Sequence, residues 1–249
     1  MKNLIKKIGQ ADKDYGMIKD GDVIAVGLSG GKDSTLLLFA LNHYRVKSRK
    51  QFKLIGIHLN LGFKGEEYSP VKHFFDEMNI DNYIFETQVS DILELNKKDE
   101  KIQCSLCSKL KKGIVIQKAV ELGCNKVAFA HHADDAIETL FLNAIYGGKL
   151  ATFDPEMYMS ESKINFIRPF IYLKESEIVA NAEEHKIPIK KSGCPNDGFT
   201  RRQEMKDLLN KLYHEYPTAH DNFIKMLHNT EQTKLWIKVL TNDKSMLIL

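Results

Sequence analysis

The chain has 249 residues, 43% of them hydrophobic, with 36 basic against 33 acidic side chains and a net charge of +3. That is enough for one large domain, or one domain plus an extension, around an ordinary core. No apolar run reaches the roughly 18 residues of a spanning helix, and the amphipathic start MKNLIKKIGQADKDYGMIKDGD lacks the apolar centre of a signal peptide, so a cytoplasmic protein is expected.

Residues 2–16 are expected as a helix, with Leu4, Ile5 and Ile8 on one face and Gly16 closing it. The run VIAVGL, residues 23–28, reads as a strand buried on both faces of a parallel sheet. It breaks into Ser29-Gly30-Gly31-Lys32-Asp33-Ser34 and resumes as a helix at Thr35. A strand, a glycine-rich turn and a helix make a phosphate cradle. The glycines allow close backbone approach, and the helix start offers N–H groups and partial positive charge. The spacing is neither that of a Walker loop nor G-x-G-x-x-G. It resembles the loop of the PP-loop ATPases, which implies that Ser29–Ser34 hold the pyrophosphate part of ATP in an enzyme that transfers AMP to a substrate oxygen.

FKLIGIHLN, residues 52–60, is the expected second strand. The end of this strand meets adenosine in nucleotide-binding α/β folds, which makes His58, Leu59 and Asn60 candidates. Ser69-Pro70 is a helix start, a third strand is expected near 83–87, and 91–103 reads as a polar loop. A long helix over about 105–122 stops at Gly123, before a strand at 126–130. This alternation predicts a Rossmann-like, doubly wound parallel sheet. After that strand comes His131-His132-Ala133-Asp134-Asp135, in a loop that should face the first one. His131 is a candidate nucleotide contact there. Magnesium bound through ATP phosphates would use a carboxylate such as Asp135, and Asp134 could act as a base or orient the substrate. Residues 151–165 read as an irregular excursion, and 166–170 as a strand whose Arg168 could reach a phosphate. The nucleotide-binding domain is expected over 1–170 and a mostly helical extension over 171–249, the latter carrying Cys194 on a Pro/Gly loop.

Charge is unevenly spread. Residues 97–118 hold seven basic side chains against two acidic, and 186–206 hold six against two. Both segments suit an anionic partner such as RNA. Both also carry cysteines. Of the four cysteines, Cys124 sits before a buried strand and reads as a small hydrophobe. Cys104-Ser105-Leu106-Cys107 opens a helix and could be redox-active, half of a zinc site, or two ligands of an iron–sulfur cluster with a distant third cysteine.

The order SGGKDS, CSLCSKLKKG, HHADDAIETLFLNAIYGGKL, IRPF, then a Cys loop before RRQEMKDLL, resembles the TtcA and TtcA-like family of tRNA 2-thiocytidine synthetases, over about residues 14–212. Ala130 stands where that family usually has Gly before His-His, and the single Cys194 where some members carry a second C-x-x-C. The resemblance implies a [4Fe-4S] cluster on Cys104, Cys107 and Cys194, with Lys111 and Asp134 as catalytic residues. It also implies ATP and Mg²⁺ as cofactors, a tRNA substrate, sulfide or desulfurase-derived sulfur, and a homodimer. The implied reaction adenylates the C2 oxygen of a tRNA pyrimidine, expected to be cytidine 32, and replaces it with sulfur from the cluster. The alternatives are a PP-loop ligase forming lysidine or an amide, a thiolase of another base that works through a persulfide, and a non-catalytic nucleotide- or RNA-binding protein.

Overall fold

Along the strand from Val23 to Leu28, successive side chains face opposite sides of the sheet. Ile24, Val26 and Leu28 enter one apolar layer and Ala25 the other, so the strand is covered on both faces. This is the centre of a computed structural model whose described residues are 1–63, 67–97, 102–190, 200–229 and 231. They form strands β1 (Val23–Leu28), β2 (Lys53–Asn60), β3 (Asp81–Glu86), β4 (Lys126–Ala128), β5 (Glu156–Met159) and β6 (Ile164–Ile167). The helices are α1 (Lys2–Tyr15), α2 (Lys32–Ser48), α3 (Ser69–Glu77), α4 (Val89–Leu95), α5 (Cys104–Glu121), α6 (Ala133–Gly147), α7 (Glu175–Glu184), α8 (Arg201–Glu215) and α9 (Ala219–His228). Among the described residues, no helix is long and apolar enough to cross a membrane.

The strand order is β3-β2-β1-β4-β6-β5. The first five are parallel, and β5 runs antiparallel to β6 at the edge. The doubly wound sheet expected from the alternation is present, with one addition. The short link between β5 and β6 is too tight for a parallel crossover, so residues 156–167 fold as a hairpin rather than an irregular excursion.

On one face, Leu37 and Leu41 of α2 meet Ile8 of α1 and Ile178 of α7 in a single cluster with β1. Full burial of each such side chain contributes roughly 2 kcal/mol. On the other face, Val115 and Ala119 of α5 cover Ala25, Ile57, Val127 and Ile164. Helices α8 and α9 pack on α6 through a smaller cluster around Ile137, Met205 and Leu209.

The segment 91–103, expected as a loop, begins as α4. Val89 and Leu93 lie one helical turn apart, fully buried against Ile102 and Cys107, and this contact seats the start of α5. The polar composition around two apolar positions hid that short helix.

Candidate active site

The crevice opens at the carboxyl ends of β1 and β4. Chain connections diverge there, since β1 leads to β2 on one side and β4 to β6 on the other. The first loop closes on itself. The Ser29 N–H donates to Ser34 Oγ at 3.1 Å, the two serine hydroxyls are 3.0 Å apart, and the Gly31 N–H donates to Ser29 Oγ at 3.2 Å. Thr35 Oγ1 donates to the Gly31 carbonyl at 3.0 Å, tying the loop to the first turn of α2.

Gly30 has φ +83°, and a Cβ there would lie 2.7 Å from Lys190 Cβ. The Lys190 N–H donates to the Gly30 carbonyl at 2.7 Å, so the chain beyond α7 lies against the phosphate loop. Gly30→Ala is therefore expected to cost about 2 kcal/mol of stability, read by urea unfolding. If that strain falls on the binding-competent loop, ATP affinity drops by roughly tenfold or more, read by calorimetric titration.

The second loop splits its two carboxylates, because neighbouring helical residues point about 100° apart. Asp134 turns away from the crevice. Its Oδ2 accepts the Glu175 N–H at 2.7 Å, and its Oδ1 lies 2.8 Å from His220 Nε2. His132 Nδ1 is 3.5 Å from the same carboxylate. Burial pushes the Asp134 carboxyl up, but His132, the Glu175 N–H and His220 outweigh it and hold the group well below the usual carboxylate range. So placed, Asp134 is a weak base and a strong clasp between α6, α7 and α9. Asp135 faces the crevice instead, with Oδ1 accepting from Arg202 of α8 at 2.8 Å and Oδ2 from the His132 N–H at 3.0 Å.

Between the loops lies a cavity of about 460 Å³, within the range of small-molecule sites. Ser29, Gly31, Asp33 and Ser34 form its phosphate-loop wall, and Leu59, Leu61 and Phe63 continue from the end of β2. Helix α5 contributes Cys107, Ser108, Lys111, Lys112 and Val115. Phe129, Ala130, His131 and Asp135 follow β4, and Lys190 closes the rim.

The structure thus brings together Ser29, Gly31, Asp33, Ser34, Leu59, Cys107, Lys111, His131 and Asp135 from the residues singled out in the sequence. Others lie outside the cavity wall. His58 is 2% exposed, with Nδ1 2.8 Å from the Leu28 carbonyl and its ring stacked on Tyr68 at 3.6 Å, so it braces β2 against β1 beneath the loop. Arg168 is buried, donates to the Asp154 carbonyl and lies 4.8 Å over the Phe153 ring. Lys32 pairs with Asp33 and Glu175 in the first turn of α2. Cys104 is exposed one turn before the buried Cys107. Cys194 lies outside the described residues.

Lys112, Phe129 and Lys190 were not singled out. Lys112 had a legible signal: positions 107, 108, 111, 112 and 115 form one helical stripe. Burial, then Arg168, Arg202 and Lys111, push the Lys112 ammonium below its usual value. Burial also pushes His131 down, to about 4, with Arg168, Lys112 and Arg202 adding to the shift and Asp135 opposing it. The His131 imidazole is therefore neutral near pH 7.

The sign of the linkage follows. The unfolded chain takes up a proton near pH 6.5, whereas the folded one waits until about 4, so stability falls as pH drops through that window. His131→Asn should remove on the order of 2 kcal/mol of the stability lost between pH 7 and 4, measured by urea unfolding across pH.

A mostly parallel sheet with a serine- and glycine-closed loop at its switch point, facing a second acidic loop, defines a nucleotide-binding protein of the PP-loop class. The family profile of the PP-loop domain matches residues 1–203. A tRNA-cytidine(32) 2-sulfurtransferase of Geobacter sulfurreducens is 34% identical, over 92% of this chain and 90% of its own. One of Pasteurella multocida is 34% identical, over 98% of this chain and 78% of its own. The chain belongs to this tRNA-cytidine(32) 2-sulfurtransferase branch of the PP-loop family. Among solved structures, the U34-tRNA thiolase NcsA from Methanococcus maripaludis, determined with its [4Fe-4S] cluster, shares the fold with a TM-score of 0.73. It is 24% identical, and the match covers 94% of this chain and 79% of that one.

Proposed function

We propose that this chain is an ATP-dependent tRNA sulfurtransferase that makes 2-thiocytidine at position 32. The observation that carries the reading is the single cavity in which the phosphate loop, the Cys107–Lys111 face of α5 and the His131–Asp135 loop meet. A nucleotide-binding protein without chemistry needs the first of these. Only a transfer reaction needs a sulfur-bearing helix turned into the same space.

The residues present fit an iron–sulfur group. Cys107 is on the cavity wall, Cys104 lies one turn earlier on the same helix, and the first turn of α5 holds no acidic residue. The helix start and the nearby Lys111 and Lys112 favour thiolates. We assign Cys104 and Cys107 as two ligands and Cys194 as the third. A [4Fe-4S] group held there supplies the sulfur nucleophile. Cys124 is set apart, since burial pushes its thiol up to about 11 and it packs under α5 in the core.

ATP lies with its phosphates over Ser29–Ser34 and its adenosine toward Leu59 and Leu61. Asp33 and Asp135 are placed to hold Mg²⁺ against the phosphates. The C2 oxygen of the base attacks the α-phosphorus, and the bond to pyrophosphate breaks. A base oxygen is a poor leaving group until it carries AMP. Sulfur then bonds to C2, and AMP departs with the oxygen. Lys111 and Lys112 face the growing phosphate charge, and the neutral His131 can accept a hydrogen bond. The basic segments 97–118 and 186–206 contact tRNA phosphates. Sulfide or desulfurase-derived sulfur as donor, a homodimer and a cytoplasmic location complete the proposal, carried by the family resemblance.

The adenylation half is tested by incubating the protein with ATP and unmodified tRNA. AMP and pyrophosphate should form in step with tRNA thiolated when sulfide is present. ATP cleaved to ADP and phosphate would overturn the reading.

A further inference from the structure

The first residue of α7 joins elements that come from distant parts of the chain. Glu175 Oε1 is 3.2 Å from Lys32 Nζ, in the phosphate-loop helix, and Glu175 Oε2 is 2.6 Å from Lys206 Nζ of α8. Its own N–H holds Asp134 at 2.7 Å, and the neighbouring Lys174 pairs with Asp221 of α9. Lys32 is shared a second time, 3.2 Å from Asp33 Oδ1. Burial opposes a charge on Glu175, yet Lys206 and Lys32 together hold its carboxyl below the usual range, so it is an anion at neutral pH.

Lys32 is the phosphate loop's own cation, and in this pairing it stands off the cavity wall, beside the loop that would hold the phosphates. A carboxylate 3.2 Å from it competes with any polyanion that reaches the loop. A site evolved only for tight nucleotide binding would carry no such competitor. The enzyme must also release pyrophosphate, which makes a competitor useful. Lys206 is the element that sets its strength, because a second cation on Glu175 loosens its hold on Lys32.

We propose that Glu175 is a positioning residue that competes with the phosphates of ATP and pyrophosphate for Lys32, with Lys206 tuning that competition from α8. The inference rests on Ser29–Ser34 being the ATP site.

Glu175→Gln keeps the side chain's shape and leaves the backbone bond to Asp134 in place. ATP and, separately, inorganic pyrophosphate are titrated calorimetrically into each folded variant. E175Q should bind both about fivefold more tightly, as expected for removing a half-buried ion pair. K206A should bind them about threefold more weakly, because Glu175 then rests on Lys32 alone. In the E175Q background K206A should have no further effect, and in a K32A background the E175Q gain should vanish.

A merely structural pin would not give opposite signs or that dependence on Lys32. Unchanged or weaker binding in E175Q, or K206A and E175Q effects that simply add, would overturn the proposal. Should E175Q fold poorly, K206A with and without K32A decides alone: weakening in both backgrounds counts against the competition. Failure of the unmodified protein to bind ATP at all would instead overturn the ATP-site reading itself.

Discussion

Cys107→Ser is expected to abolish tRNA thiolation, by at least about a thousandfold, while ATP binding changes by less than about twofold. The two effects separate because Cys107 reaches the cavity from α5, whereas the phosphate cradle is built from residues 29–35 and closed by its own hydrogen bonds. A serine hydroxyl is a far weaker ligand for cluster iron than a thiolate, so iron and acid-labile sulfide should fall with activity. Cys124→Ser is the control. Its thiol is buried in the core under α5, and the change should leave iron content and thiolation intact while costing about 1–2 kcal/mol of stability. Iron analysis, nucleoside mass spectrometry and urea unfolding on the two variants provide the comparison.

The second large effect separates adjacent carboxylates. Asp135→Asn should slow AMP formation by about a hundredfold, since the group lines the cavity and, on the proposed function, would hold Mg²⁺ against the developing phosphate charge. Its cost in stability should be modest, because its partner Arg202 is half-exposed. Asp134→Asn should act the other way. It removes a half-buried anion from His132, His220 and the Glu175 N–H, and should cost about 2 kcal/mol of stability. Any activity loss in the folded remainder should be smaller than in Asp135→Asn. Urea midpoints and AMP release, measured on both variants, give the crossed pattern or refute it.

The parts of this site legible in the sequence are the local ones. The Ser29–Ser34 loop could be read because strand, turn and helix follow each other within one short stretch, although Lys190 joins it from beyond α7. The strand–helix alternation likewise implied the doubly wound sheet, since parallel strands need crossovers. The division between Asp134 and Asp135 was not legible. It depends on which helical direction meets Glu175 and His220, residues that arrive more than 40 and 80 positions later. His58 looked like a nucleotide contact at a strand end, but side-chain direction there is set by the Leu28 carbonyl and Tyr68. Glu175 lay in no motif, and RRQEMKDLL, which holds Arg202 and Lys206, carried the resemblance without a role for either side chain. Their roles come from α7 and α8 packing back onto the two loops. The β5–β6 hairpin escaped notice because its strands are four residues each.

The central claim is that this cavity thiolates cytidine, and nucleoside mass spectrometry of tRNA tests it most directly. Anaerobically prepared protein is incubated with ATP, Mg²⁺, sulfide and tRNA lacking thiolation, and the digested tRNA is mapped by position. The account predicts 2-thiocytidine at position 32, absent without ATP and absent with Cys107→Ser. Thiolated uridine in its place, a lysine adduct, or unmodified tRNA alongside full iron content would contradict it.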